Sequence, residues 1–324
     1  MALILKIVKW FFLGVASLIL VVLSGGWIYQ AINESSDLAR YPAPGELFAV
    51  DDRLMHLHCV GQGNPTVIFE LGIGSVAAAW SDIHQQVSLF TRACAYDRAG
   101  LGYSEPTDQP LRSSDVAQRF QKLLQAAGIE DELVLVGWSA GGIYIREFFR
   151  QYPDQVRAML FVASSHEQQA SRTPQTAGGG ADPALKIARY LAPFGLVRLS
   201  GILEQRVDRS SASDETKSRL KAIYHQSHTL HTVWRESEAF NLDIDAPRPP
   251  SPVGDLPLIV LTPGNQDDSQ QENDARNQLQ QELTLLSTNG RQIIASESGH
   301  NIYAEQPDLL VKSIEELVLL VREK

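Results

Sequence analysis

From Thr66 onward, short apolar runs alternate with longer stretches of helical periodicity, which restricts the chain to a mainly parallel sheet with helices packed against it. Strands are expected over Thr66 to Leu71, Ala93 to Asp97, Leu133 to Val136, Ala158 to Ala163, Leu256 to Leu261 and Gln292 to Ala295. Helices are expected over Trp80 to Phe90, Ser113 to Ala127, Gly141 to Gln151, Gln270 to Leu286 and Leu309 to Arg322. A run such as Leu133 to Val136 has no polar side chain, as a strand buried on both faces requires. Ahead of these, Leu47 to Val50 and Leu54 to Cys59 straddle Asp51-Asp52 and read as a hairpin. The alternation lapses at about 164–252. There a polar, Gly-rich run is followed by helical patterns around Pro183 to Leu199 and Ser213 to Phe240 and closes in APRPPSP, so this stretch reads as a helical lid inserted into one domain.

The N-terminus is of a different kind. No charged residue lies between Trp10 and Tyr29, and such a run is long enough to cross a hydrocarbon core of about 30 Å. Residues 1–32 therefore read as a transmembrane anchor, 33–45 as a polar linker and 46–324 as the folded domain. Trp10 at one end and Trp27 with Tyr29 at the other suit the two interfaces. Lys6 and Lys9 precede the segment while Glu34, Asp37 and Glu46 follow it, which puts the N-terminus in the cytoplasm and exports the domain. A cleaved secretory signal is the alternative, and it also exports the domain. A net charge of −10 with no basic stripe argues against a nucleic-acid partner.

Chemistry concentrates at Gly137-Trp138-Ser139-Ala140-Gly141, set between a buried strand and a helix. A serine on so sharp a turn is held exposed, with the helix N-terminus offering N–H donors and positive potential beneath it. Its hydroxyl needs a base. Of eight histidines, His300 lies in a turn after the last strand and before the final helix, the right address for that role. His225, His228 and His231, three apart on a lid helix, rotate around it and form no evident metal cluster, so neither a metal nor a cofactor is expected. The acid that orients the base should fall between serine and histidine in the chain. Asp267 is preferred; Asp268 and Glu167 are alternatives, and both aspartates would also serve as helix caps. Oxyanion donors are assigned to the amides of Ile73, in the loop FELGIGS, and Ala140.

Three segments in order, Leu71-Gly72-Ile73, Asp97-Arg98-Ala99-Gly100-Leu101-Gly102-Tyr103-Ser104 and Gly137 to Gly142, resemble the oxyanion loop, the Asp-x-x-Gly-x-Gly-x-Ser segment and the nucleophile elbow of the α/β-hydrolase superfamily. The resemblance spans about Glu46 to Val321. It implies an eight-stranded, mostly parallel α/β-hydrolase sheet and hydrolysis of a small-molecule acyl substrate, a carboxylic ester first, through a Ser139-His300-Asp267 triad. Amide, thioester or carbon–carbon bond hydrolysis with the same triad is the alternative, and a non-catalytic ligand-binding protein on the same scaffold is another. Asp97 and Arg98 are expected to form a structural polar pair. Ala163 stands where relatives often carry an acidic residue, and Ser139 stands where epoxide hydrolases and dehalogenases carry an aspartate. The resemblance also brings Cys59 and Cys94 onto neighbouring antiparallel strands, as a disulfide would need. Apolar lid residues Leu191, Phe194, Leu196 and Val197 are candidates to line an entrance for apolar esters, and equally to be ordinary lid core.

Overall fold

Every run read as a strand in the sequence forms one. In the computed structural model, which describes residues 1–173, 183–245, 250–264 and 270–323, the strands are Glu46–Val50 (β1), Arg53–Val60 (β2), Thr66–Glu70 (β3), Ala93–Tyr96 (β4), Leu133–Trp138 (β5), Val156–Val162 (β6), Leu258–Pro263 (β7) and Gly290–Ala295 (β8). They form one eight-stranded sheet in the order β1-β2-β4-β3-β5-β6-β7-β8. Strand β2 is antiparallel to both neighbours, and all pairings from β4 to β8 are parallel. Cys59 and Cys94 are register partners across β2 and β4 and are joined in a disulfide.

Alternate side chains of each central strand enter different cores, which is why these strands are apolar throughout. Val67, Phe69, Val134, Val136 and Leu160 pack beneath Ser81–Val87 (α2) and Pro307–Arg322 (α13). Ile68, Leu135 and Phe161 pack against Ser113–Ala126 (α3), Gly141–Gln151 (α4) and Gln270–Thr284 (α11). Burying apolar surface on both faces supplies the main drive to fold, at about 25 cal/mol per Å².

Between β6 and β7 the chain forms Gln169–Arg172 (α5), Pro183–Leu191 (α6), Leu196–Ser200 (α7), Ile202–Asp208 (α8), Asp214–Tyr224 (α9) and Thr229–Asp245 (α10). The helical pattern over 183–199 is interrupted at Gly195, whose φ of 71° only glycine adopts without strain. The pattern over 213–240 breaks between Tyr224 and Thr229. His225, His228 and His231 therefore do not share a helix: His225 ends α9, His228 lies in the connection and His231 is in α10. Among the described residues no three His, Cys, Asp or Glu side chains are grouped to hold a metal.

The N-terminal helix Ala2–Arg40 (α1) has 39 residues and is about 58 Å long at 1.5 Å per residue. Among the described residues it is the one helix long and apolar enough to cross a membrane. It outruns the expected anchor, and most of the 33–45 stretch read as a linker is helical. Polar residues there continue the helix because they bind the inserted helices. Gln30 Nε2 donates to the carbonyl of His225 at 2.6 Å, Glu34 accepts from the amide of Ser227, and Asp37 pairs with Arg198 at 2.8 Å. Gly26 permits the closest approach, since a Cβ there would lie 2.5 Å from the carbonyl oxygen of Phe194.

Candidate active site

Strand β5 ends at Trp138 and α4 begins at Gly141, so Ser139 occupies the bend between them. Its φ is 55°, a left-handed conformation that costs a non-glycine residue about 1–3 kcal/mol and persists only where the surroundings enforce it. Two backbone hydrogen bonds do so: Ser139 N donates to Val162 O at 3.1 Å, and Ser165 N donates to Ser139 O at 2.9 Å. Crowding requires the flanking glycines, since a Cβ on Gly141 would fall 2.1 Å from the carbonyl oxygen of Glu70. The loop after β3 passes directly over the bend, and a Cβ on Gly72 would stand 3.0 Å from the Ser139 Cβ.

His300 sits between β8 and the short helix Ile302–Glu305 (α12). Its carbonyl accepts from the Trp138 indole N–H at 3.0 Å, and its ring lies 5.2 Å from the Trp138 ring. The residue after the elbow's glycine thus fixes the loop that carries the imidazole. Ser139 and His300 line one cavity of about 300 Å³, together with Ile73, His166, Phe240 and Arg276 among others. Ala140 is buried at the head of α4. The apolar lid residues Leu191, Phe194, Leu196 and Val197 do not line it; Phe194 packs instead against Gly26 of α1. The apolar wall comes from Ile73, Phe240 and Leu279.

His300 is exposed at the edge of the cavity, with one side of its ring 5.2 Å from that of Trp138. Desolvation, and after it the positive charge of Arg276, push its pKa down to about 4. The imidazole is therefore neutral at pH 7, the form a general base requires. Asp267 and Asp268 lie outside the described residues. Glu167 is engaged elsewhere: it accepts from Arg146 Nε at 2.9 Å and lines a different cavity from the one that holds Ser139.

Asp97 and Arg98 do not pair with each other; each anchors a different loop. Asp97 meets His56 Nδ1 at 2.8 Å and accepts from the amides of Ala77 and Tyr103 at 2.7 and 3.0 Å. Arg98 is buried beneath the loop over Ser139. It donates to Leu71 O at 2.8 Å, Gly72 O at 2.7 Å, Glu70 at 2.8 Å and Glu236 at 2.7 Å. Burial works against its charge, but Glu236 and Glu70 outweigh that and hold its pKa well above the usual value. Glu236 of α10 also accepts from the amide of Gly74 at 2.8 Å. One ion cluster thus ties the inserted helices to the loop carrying Ile73. The sequence offered a signal for Glu70, a carboxylate ending an apolar strand, and none for Glu236, which falls in an ordinary amphipathic pattern. His166, Gln280 and Arg276 were also missed as cavity residues.

The sequence profile of the alpha/beta hydrolase family matches residues 54–313. The chain belongs to this family. Among alpha/beta hydrolases of solved structure it is similar to an epoxide hydrolase from Vigna radiata, at 16% identity and a TM-score of 0.67 over 84% of this chain and 97% of that one. It is also similar to a thermophilic esterase from Thermogutta terrifontis, at 18% identity and a TM-score of 0.60 over 85% and 98%. These likenesses are of fold. In sequence, the uncharacterized protein YbdG of Bacillus subtilis (strain 168) is 24% identical over 98% of both chains.

Proposed function

We propose that this alpha/beta hydrolase cleaves a carboxylic ester through a covalent acyl-enzyme. Ser139 Oγ attacks the carbonyl carbon, and the neutral imidazole of His300 takes its proton. The amides of Ile73 and Ala140 donate to the developing oxyanion, each contributing about 3 kcal/mol to the transition state. Collapse of the tetrahedral intermediate expels the alcohol, protonated by His300, and water then repeats the sequence to release the acid. Asp267 is the proposed partner that orients His300. The observation that carries this reading is the strained, over-determined Ser139 sharing one cavity with His300. A hydroxyl rather than a carboxylate on the elbow favours ester over epoxide chemistry, since no side-chain carboxylate is there to open the ring.

In the same reading α1 is a single membrane anchor with the N-terminus cytoplasmic and the hydrolase domain exported. Lys6 and Lys9 before the apolar run support that direction, and the Cys59–Cys94 disulfide fits an oxidising compartment.

A panel of carboxylic esters, matched amides and epoxides, assayed with the full chain in detergent, tests the reaction class. Ester turnover is expected to dominate. Because the His300 pKa is lowered, the base stays in its working form as acid is added, and kcat/KM should remain level below pH 6.5, where an ordinary imidazole would already be half protonated. Epoxide opening without ester cleavage would overturn the assignment, and an acid limb at pH 7 would remove His300's desolvated setting from it.

A further inference from the structure

Resting on the reading of α1 as a membrane anchor, the inserted helices carry a surface placed to meet the same membrane. Beyond α1, thirteen large apolar side chains stand exposed among the described residues, and six of them, Ile187, Tyr190, Leu191, Leu196, Leu199 and Ile202, fall within sixteen consecutive positions. The other seven are scattered from Leu47 to Leu319, as is usual on a protein surface. Ile187, Tyr190 and Leu191 are spaced i, i+3, i+4 and so share one face of α6. A concentration of this kind marks an interaction surface.

The neighbour of the cluster fixes its depth. The turn Ala192–Phe194, in the middle of these positions, packs on α1: Phe194 O closes on Gly26, and a Cβ on Gly195 would stand 2.8 Å from the Tyr29 ring. Gly26 and Tyr29 belong to the last turn of the uncharged run from Trp10 to Tyr29, whose 20 residues span about 30 Å, the thickness of a hydrocarbon core. Trp27 and Tyr29, of the aromatic types that settle at headgroup level, are thus level with the turn. The six apolar side chains therefore flank a segment held where hydrocarbon meets headgroups. Charge agrees with this placement. In a chain of net charge −10, residues 183–209 carry five basic side chains and two acidic ones, a local excess that suits phosphate headgroups.

We infer that the face bearing Ile187, Tyr190, Leu191, Leu196, Leu199 and Ile202 docks on the membrane leaflet from which α1 emerges, its apolar side chains entering the interface and the exposed Lys186, Arg206 and Arg209 meeting headgroup phosphates. Helix α6 packs in turn on α10, with the Arg189 guanidinium 3.6 Å from the Trp234 ring. Helix α10 supplies Phe240 to the cavity of Ser139 and Glu236 to the amide of Gly74. Docking sets α6 between lipid and the helix that completes the active site.

The test places one cysteine at a time in the full chain, reconstituted without reductant so that the Cys59–Cys94 disulfide stays closed, in vesicles of phosphatidylcholine and phosphatidylglycerol. Quenching of a nitrobenzoxadiazole label on that cysteine by lipids spin-labelled at shallow or deep positions reads its depth. Leu199 is 66% exposed, so substituting it leaves the core intact. Leu199→Cys is expected to report a depth of about 5–10 Å below the headgroup boundary, and Leu18→Cys a place near the bilayer centre. Leu89→Cys, just before β4 and so at the opposite end of the parallel strands from the inserted helices, should show no quenching. A Leu199 label no more quenched than the Leu89 label, with Leu18 quenched, would overturn the inference and leave the anchor standing. A Leu199 label shielded only at high protein-to-lipid ratio and unquenched by lipid would assign the face to a second copy of this chain, and would overturn it as well. An unquenched Leu18 label would fell the anchor reading and the docking with it.

Discussion

Ser139→Ala is expected to lower kcat/KM for the best ester by about 10⁴-fold to 10⁶-fold while leaving the protein folded. The loss is large because the nucleophile and its base act as a unit: without Oγ there is no acyl-enzyme, and only binding and oxyanion stabilisation remain. Stability should barely change. Ser139 lines the cavity, and alanine meets the same φ of 55° under the same backbone bonds with Val162 and Ser165. Steady-state kinetics beside a thermal melt of the two proteins checks both halves. A fall in rate matched by a fall in melting temperature would assign Ser139 to the scaffold instead.

Arg98→Met is expected to destabilise the fold by about 3–5 kcal/mol, the usual consequence of removing one member of a buried ion cluster. The guanidinium compensates two carboxylates, Glu70 and Glu236, both almost fully enclosed, and satisfies the carbonyls of Leu71 and Gly72. Methionine fills much of the volume but none of these bonds. Because the freed loop carries Ile73, activity should fall further than the folded fraction accounts for, in kcat more than in KM. Glu236→Gln should be milder, since it retains an oxygen for the amide of Gly74. Urea unfolding in detergent with kinetics on the folded fraction measures both, and an Arg98→Met protein as stable and active as the natural chain would contradict the role given to the cluster.

What the sequence revealed and what it hid follow from the range of the forces involved. Strands β3 to β7 were legible because burial on two faces leaves a local mark, a short apolar run, whereas the edge strand β8, with Arg291 and Gln292 in it and only Ala295 buried, carries a weaker one. The elbow was legible because crowding at Gly141, 2.1 Å from Glu70 O for any added Cβ, admits no other residue. The disulfide followed from a resemblance rather than from spacing. Three features were hidden for one reason: each depends on partners far along the chain. Helix α1 continues past Asn33 because Glu34 and Asp37 find partners near residues 198 and 227. Arg98 turns to Glu236 rather than its neighbour Asp97, across 138 positions. His166 reads as a histidine after a strand, and only the fold places it on the wall of the cavity opened by Ser139. Helix breaks at Gly195 and between Tyr224 and Thr229 were missed because amphipathic periodicity runs on across both.

The most direct measurement is to treat the full chain with a fluorophosphonate and locate the adduct by peptide mass spectrometry. The account predicts a single phosphonylated residue, Ser139, labelled rapidly in the natural chain and at least about 100-fold more slowly in His300→Ala, since the base contributes that much or more to nucleophile activation. An unlabelled Ser139, or labelling at full rate without the imidazole of His300, would contradict it.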